Sequence, residues 1–207
     1  MYCLSTGNSD YESLIEEIKL FDMAEIRLDL CNLNSYQIKK VFSIHKNLLA
    51  TFRKNINNTE HQRFVSLKNA ILSGAKWIDI DYRTETKQFI EKFITIAKDQ
   101  KVNIIISYHD FEKTPSEEFI HKIYTKIKNL SPTLIKLVFY SNSDKDNEIL
   151  LSLYSKYKDI LAFNMGDRGK RTRIECIRKG APFTFVKSEM EQTAEGQMTL
   201  KEIMQYS

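Results

Sequence analysis

Eight short apolar runs alternate along this chain with segments of helical spacing, and that alternation restricts the fold more than any other feature. The runs are YCLS (2–5), AEIRLDL (24–30), LLATF (48–52), WIDIDY (77–82), VNIIIS (102–107), LIKLVF (134–139), DILAFN (159–164) and FTFV (183–186). Each has the length of a strand. Between them apolar residues recur at steps of three and four, as in Leu14, Ile15, Ile18, in Phe89, Ile90, Phe93, Ile94, Ala97, and in Phe119, Ile120, Ile123, Ile127. Capping boxes at 59–62, 114–117 and 199–202 mark helix starts. Strands that alternate with helices run parallel, because each helix carries the chain back across the sheet. Eight such units predict an α/β fold of the (β/α)8 TIM barrel type, a single domain over 1–207 at the short end of the range for that fold. A doubly wound open sheet is the alternative. Against it, STGNSD after the first run has one glycine where GxGxxG needs three.

Composition narrows the function. No linker rich in Pro, Gly or Ser divides the 207 residues, which hold only 6 Gly and 3 Pro. The net charge of +4 is spread among interspersed acids and bases, which argues against nucleic acid as a partner. No apolar run approaches the roughly 20 residues of a membrane span. The start, MYCLSTGN, lacks the charged and apolar regions of a signal peptide. Cys3, Cys31 and Cys176 are few, odd in number and far apart, as expected for free thiols in a reducing cytoplasmic setting. His45, His61, His109 and His121 show no metal-ligand spacing, and we expect no metal.

Several runs carry charges where a barrel strand has an interior face. Side chains alternate between interior and helix-facing layers. If Ile26, Leu28 and Leu30 face the helices, then Glu25, Arg27 and Asp29 point inward. If Ile78 and Ile80 face out, Asp79 and Asp81 point in. Ser107 and His109 share one face, as do Lys136 and Val138, and Arg53 ends the third run. These charges lie toward the C-terminal ends of their strands, which is the active-site mouth of such a barrel. Taken singly they have plain structural readings. Lys136 could snorkel or pair with Asp79 or Glu25, His109 could close a strand, Glu25 and Arg27 could pair across the barrel, and Arg53 could be a surface residue. Tyr108 reads as helix-facing packing, and His45, His61 and His121 as exposed helical positions. Taken together they suit imine chemistry. A desolvated lysine attacks a ketone, and a nearby histidine moves the α-proton. Arginines hold an anionic substrate.

The order of these residues resembles that of the type I 3-dehydroquinate dehydratases. The matching pieces are EIRLD (25–29), TFR (51–53), DID (79–81), SYHDF (107–111), IKLV (135–138), NMGDRGKRTR (164–173) and GQMTL (196–200), which together cover nearly the whole chain. The resemblance implies a lyase that converts 3-dehydroquinate to 3-dehydroshikimate in the shikimate pathway. It implies a Schiff base on Lys136 and His109 as general base and acid. It also implies substrate binding by Glu25, Arg27, Arg53, Arg173, Thr193 and Gln197, with Arg173 on the carboxylate. Met165 and Phe185 would form an apolar wall, and Thr193 and Ala194 a closing loop. Such enzymes are homodimers and need no metal or organic cofactor.

Three positions depart from the family pattern. Asn57-Asn58 stands four residues after Arg53, where a glutamate that supports the catalytic histidine is usual. The resemblance therefore puts Asn57 beside His109, with Glu60 as a second source of charge or as a helix-start residue. Phe163 replaces a methionine near Met165, and Ala194-Glu195 replaces a small residue and proline before the final GQ. A class I aldolase and a binding barrel without turnover are the competing readings.

Overall fold

The computed structural model of the chain describes residues 1–189 and 193–205. Strands β1 (Tyr2–Thr6), β2 (Ala24–Arg27), β3 (Leu48–Thr51), β4 (Trp77–Asp81), β5 (Asn103–Asp110), β6 (Leu134–Tyr140), β7 (Ile160–Met165) and β8 (Thr184–Lys187) form one parallel sheet. Helices α1 (Tyr11–Ile18), α2 (Ser35–Ile44), α3 (Glu60–Leu72), α4 (Lys87–Asp99), α5 (Glu117–Lys128), α6 (Asp144–Lys156), α7 (Lys170–Arg178) and α8 (Leu200–Met204) follow the strands in turn. The sheet order β7-β6-β5-β4-β3-β2-β1-β8 curls into a nearly closed (β/α)8 barrel, as the alternation predicts. No helix among the described residues is long and apolar enough to cross a membrane.

The strands obey a period of two. Leu4, Ile26, Ala50, Ile78, Ile80, Ile106, Leu137 and Ala162 belong to the layer between sheet and helices. Their neighbours Cys3, Leu49, Ile105, Val138, Leu161, Phe163 and Phe185 pack inside the barrel. Tyr108 lies in the outer layer beside Phe119 and Phe139, as its position in the run predicts.

β7 and β8 share no backbone ladder among the described residues. The outward edge of β7 is satisfied by side chains instead. The Ala162 N–H donates to Tyr154 Oη at 2.7 Å, and that hydroxyl donates back to the Ala162 carbonyl at 2.9 Å. The Asn164 N–H donates to Thr172 Oγ1 at 2.8 Å. Buried backbone groups need partners, and α6 and α7 supply hydroxyls where a strand is missing.

Most strand ends shift by a single residue, and four larger differences from the sequence reading stand out. β5 continues past Ser107 to Asp110, because its ladder with β6 runs on to the pair Asp110 and Phe139. β2 stops at Arg27, where the Leu28 N–H turns back to the Ile26 carbonyl, so Leu30 is exposed rather than helix-facing. α5 begins at Glu117 with Ser116 as its cap, because Thr114 is engaged elsewhere and donates to the Tyr140 carbonyl. His45 is not an exposed helical residue. It ends α2, is half-buried, and its Nε2 lies 2.8 Å from the Phe21 carbonyl.

Candidate active site

A cavity of about 300 Å³ opens at the C-terminal ends of the strands. All eight residues singled out from the sequence line it: Glu25, Arg27, Arg53, His109, Lys136, Arg173, Thr193 and Gln197. Phe111, Val138, Tyr140, Phe163, Met165 and Phe185 complete much of the wall.

Asp79 is the electrostatic hub. It is 1% exposed and stands on the inward face of β4. Its two oxygens accept both terminal nitrogens of Arg53, at 2.9 and 2.7 Å, in a bidentate pair. It also accepts from Ser107 Oγ at 2.5 Å and from Lys136 Nζ at 3.0 Å. Burial opposes its ionisation, but the Arg53 and Lys136 charges outweigh burial and hold the carboxyl well below the usual range. The Lys136 ammonium end also lies over the Phe185 ring, 4.2 Å from its centre. Lys136 is thus ion-paired with Asp79, as its structural reading has it, and its side chain lines the cavity.

His109 stands next to Lys136 around the barrel, since β5 and β6 are paired with Ser107 opposite Lys136. It is 7% exposed, and its ring stacks on Phe111 at 5.9 Å and 11°. Its Nδ1 lies 2.6 Å from Asp81 Oδ2. Burial and the Arg53 charge push its pKa below 6.5 against the opposing pull of Asp81. Asn57 does not reach this site. It is exposed and does not line the cavity, and its N–H donates to Asn55 Oδ1 at 2.8 Å. The β3–α3 loop carries it outward, because α3 starts at Glu60 with Thr59 and Gln62 closing a capping box. Glu60 is accordingly the first residue of that helix.

Glu25 and Arg27 are not paired with each other. Glu25 accepts from Ser5 Oγ at 2.5 Å and Thr51 Oγ1 at 2.7 Å. Arg27 makes a bidentate pair with Asp29 and donates to the Thr193 carbonyl at 3.1 Å. Thr193 Oγ1 lies 2.6 Å from Ser5 Oγ. Gln197 Oε1 turns into its own loop, accepting from the N–H groups of Thr193 and Ala194 at 2.9 and 3.1 Å.

Arg173 differs from three other cations of the cavity. Arg27, Arg53 and Lys136 each have a carboxylate, whereas Arg173 has none among the described residues. It is 1% exposed, donates to the Glu195 carbonyl at 3.2 Å, and lies over the Phe163 ring at 4.4 Å. Its Nε is buried without a hydrogen-bond partner among the described residues. Burial pushes its pKa down to about 10, so it remains charged at neutral pH. A desolvated guanidinium with a donor to spare is a seat for an anion.

The sequence reading offered Asp79 as a partner for Lys136 alone, and it set Asp81 inward and Ser107 on the face of His109 without giving either a task. The signal was present, since Asp81 sits one full alternation beyond Asp79 and in register with Ser107. Lys54, Phe111 and Tyr140 also line the cavity. They stand at or just past strand ends, where periodicity stops informing.

A family model described as Type I 3-dehydroquinase matches residues 2–206. A 3-dehydroquinate dehydratase of Methanococcus vannielii is 36% identical over 99% of this chain and 98% of its own length. One of Methanocaldococcus jannaschii is 32% identical over 98% and 97%. Among solved structures, a type I 3-dehydroquinate dehydratase from Clostridium difficile with covalent modified comenic acid matches with a TM-score of 0.82. That match has 25% identity and covers 99% of this chain and 89% of that one.

Proposed function

The chain belongs to the type I 3-dehydroquinase family and is a 3-dehydroquinate dehydratase, and from that premise we propose that it works through an imine on Lys136, with His109 moving the protons. The observation that carries this reading is the cavity itself. A lysine and a histidine on adjacent strands share it with one buried arginine that has no acid partner among the described residues. The Lys136 ammonium passes a proton to His109 and the amine attacks the C3 ketone of 3-dehydroquinate; His109 returns that proton to the carbinolamine hydroxyl, which leaves as water and gives a protonated imine. His109 Nε2 takes a proton from C2, and the electron pair passes into the iminium as an enamine. The pair then returns to expel the C1 hydroxyl, which leaves as water with the proton that His109 carries. Water hydrolyses the product imine, releasing 3-dehydroshikimate and Lys136. Over the cycle one molecule of water is lost.

Arg173 pairs with the substrate carboxylate, which supplies the anion its surroundings lack. Glu25, Arg27 and Arg53 surround the ring hydroxyls, and Thr193 and Gln197 close the mouth. From the same premise we propose that the barrel is a single catalytic domain and the enzyme a homodimer, for which light scattering should give twice 24.3 kDa. Three buried cysteines, none of them bridged by a disulfide, support a cytoplasmic setting.

The test is reductive trapping. Borohydride added with substrate or product should inactivate the enzyme and leave one reduced ligand on the peptide containing LIKLVF. Lys136→Met should fold and take no label. Label on another lysine would overturn the assignment.

A further inference from the structure

We propose that Asp81 is the positioning residue of His109: it sets which ring nitrogen faces the substrate and balances the imidazolium formed when that nitrogen takes a proton. The role deepens the reading of His109 as general base and rests on it.

Asp81 is the last residue of β4, and its carboxylate is oriented from both sides. Oδ1 accepts the N–H groups of Arg83 at 2.8 Å and Thr84 at 3.2 Å, as the chain turns out of the strand. That leaves Oδ2 for His109 Nδ1 at 2.6 Å, with Arg53 3.8 Å away. An ionised carboxylate only accepts, so the short contact requires the ring proton on Nδ1. The lone pair of neutral His109 is then on Nε2. The ring is held further by Phe111 stacking on its face and by Arg83, which donates to the His109 carbonyl at 3.0 Å. No other carboxylate among the described residues bonds this ring.

The charged groups around His109 come from several elements. Arg53 follows β3, Asp79 and Asp81 lie on β4, Arg83 follows β4, Asp110 is the next residue on β5, and Lys136 is on β6. Burial, Arg53 and Lys136 disfavour the imidazolium, while Asp81 favours it. Removing the Asp81 charge therefore leaves the others unopposed and lowers the affinity of His109 for a proton.

The first measurement needs no substrate. Nitrogen NMR of histidine-labelled enzyme should show neutral His109 protonated on Nδ1. A ring protonated on Nε2 would overturn the proposal, even if no variant folds. Asp81→Asn should then lower kcat about 100-fold, within the range of a disabled general base, while KM changes less than about threefold. The acid limb of its pH–rate profile should move to lower pH, and borohydride should still trap the imine on Lys136. Asp81→Glu should recover at least part of the lost kcat. Asn57→Ala should match the parent enzyme throughout. An unmoved acid limb and tautomer in Asp81→Asn would refute the positioning role. Retained turnover in His109→Ala would instead remove the base assignment and leave the tautomer result standing.

Discussion

Asp79 shows what a single buried charge does for this site. Taking one carboxylate out of water is costly, and here two cations and a hydroxyl offset that cost. Replacing Asp79 with Ala strands Arg53 and Lys136, and should destabilise the fold by about 3–5 kcal/mol in urea unfolding. The pH dependence follows from the sign of the shift. Folding depresses the Asp79 pKa, so its stabilisation is fully present above the unfolded value of about 4 and declines as pH falls below it. The gap between parent and Asp79→Ala should therefore narrow in acid. His109 is shifted downward as well, so a base that must be neutral stays competent below pH 6.5, and the acid limb of kcat/KM should lie beneath that value. Arg173→Ala should lower kcat/KM by about 1.5–3 kcal/mol, the worth of a charge-assisted contact. Lys136 and His109 were legible because strands alternate and the mouth lies at strand ends. Asn57 was misplaced because a loop has no period. Its family position implied a role that its exposed side chain does not have, so Asn57→Glu should leave the pH profile where it is.

At the scale of elements, the helices were easier to read than the strand ends. Thr59 and Thr199 cap α3 and α8 through the boxes visible in the sequence. The boxes at Asn34 and Ser143 escaped notice, since Asn and an Asp partner fit the pattern more loosely. One tertiary tie had no signature at all. Arg63 on α3, 2% exposed, forms a bidentate pair with Glu85 after β4 and donates to Asn58 Oδ1 at 2.9 Å. Asn58 in turn donates to the Arg53 carbonyl at 3.0 Å. The pair thus links the start of α3 to the strand end that presents Arg53. Arg63→Ala should cost about 3–5 kcal/mol of stability, because Glu85 is left buried and unpaired. It should also raise KM, as the backbone beneath Arg53 loosens. Thermal unfolding and steady-state kinetics on one preparation would read both effects.

For the whole molecule, eight alternating units were enough to specify the barrel, and parallel pairing brought the scattered charges to one mouth. How the barrel closes could not be read, because the hydroxyls of Tyr154 and Thr172 look like ordinary helix residues until they are seen on the edge of β7. Tyr154→Phe leaves both backbone groups of Ala162 without that partner and should cost about 1–3 kcal/mol. The seam also bears on how the protein comes apart. A closed ring of strands has no loose end, whereas a strip has two, and this sheet is a strip whose β7 edge is capped by hydroxyls from α6 and α7. Strips fray from their ends. Hydrogen exchange in mild denaturant should therefore open the β1–β8 ladder before the ladders joining β4, β5 and β6, and Tyr154→Phe should start the fraying at β7 as well. The residues least exposed to that wear are Asp81 and His109, on β4 and β5 toward the middle of the strip, while Lys136 on β6 stands one strand in from the β7 edge.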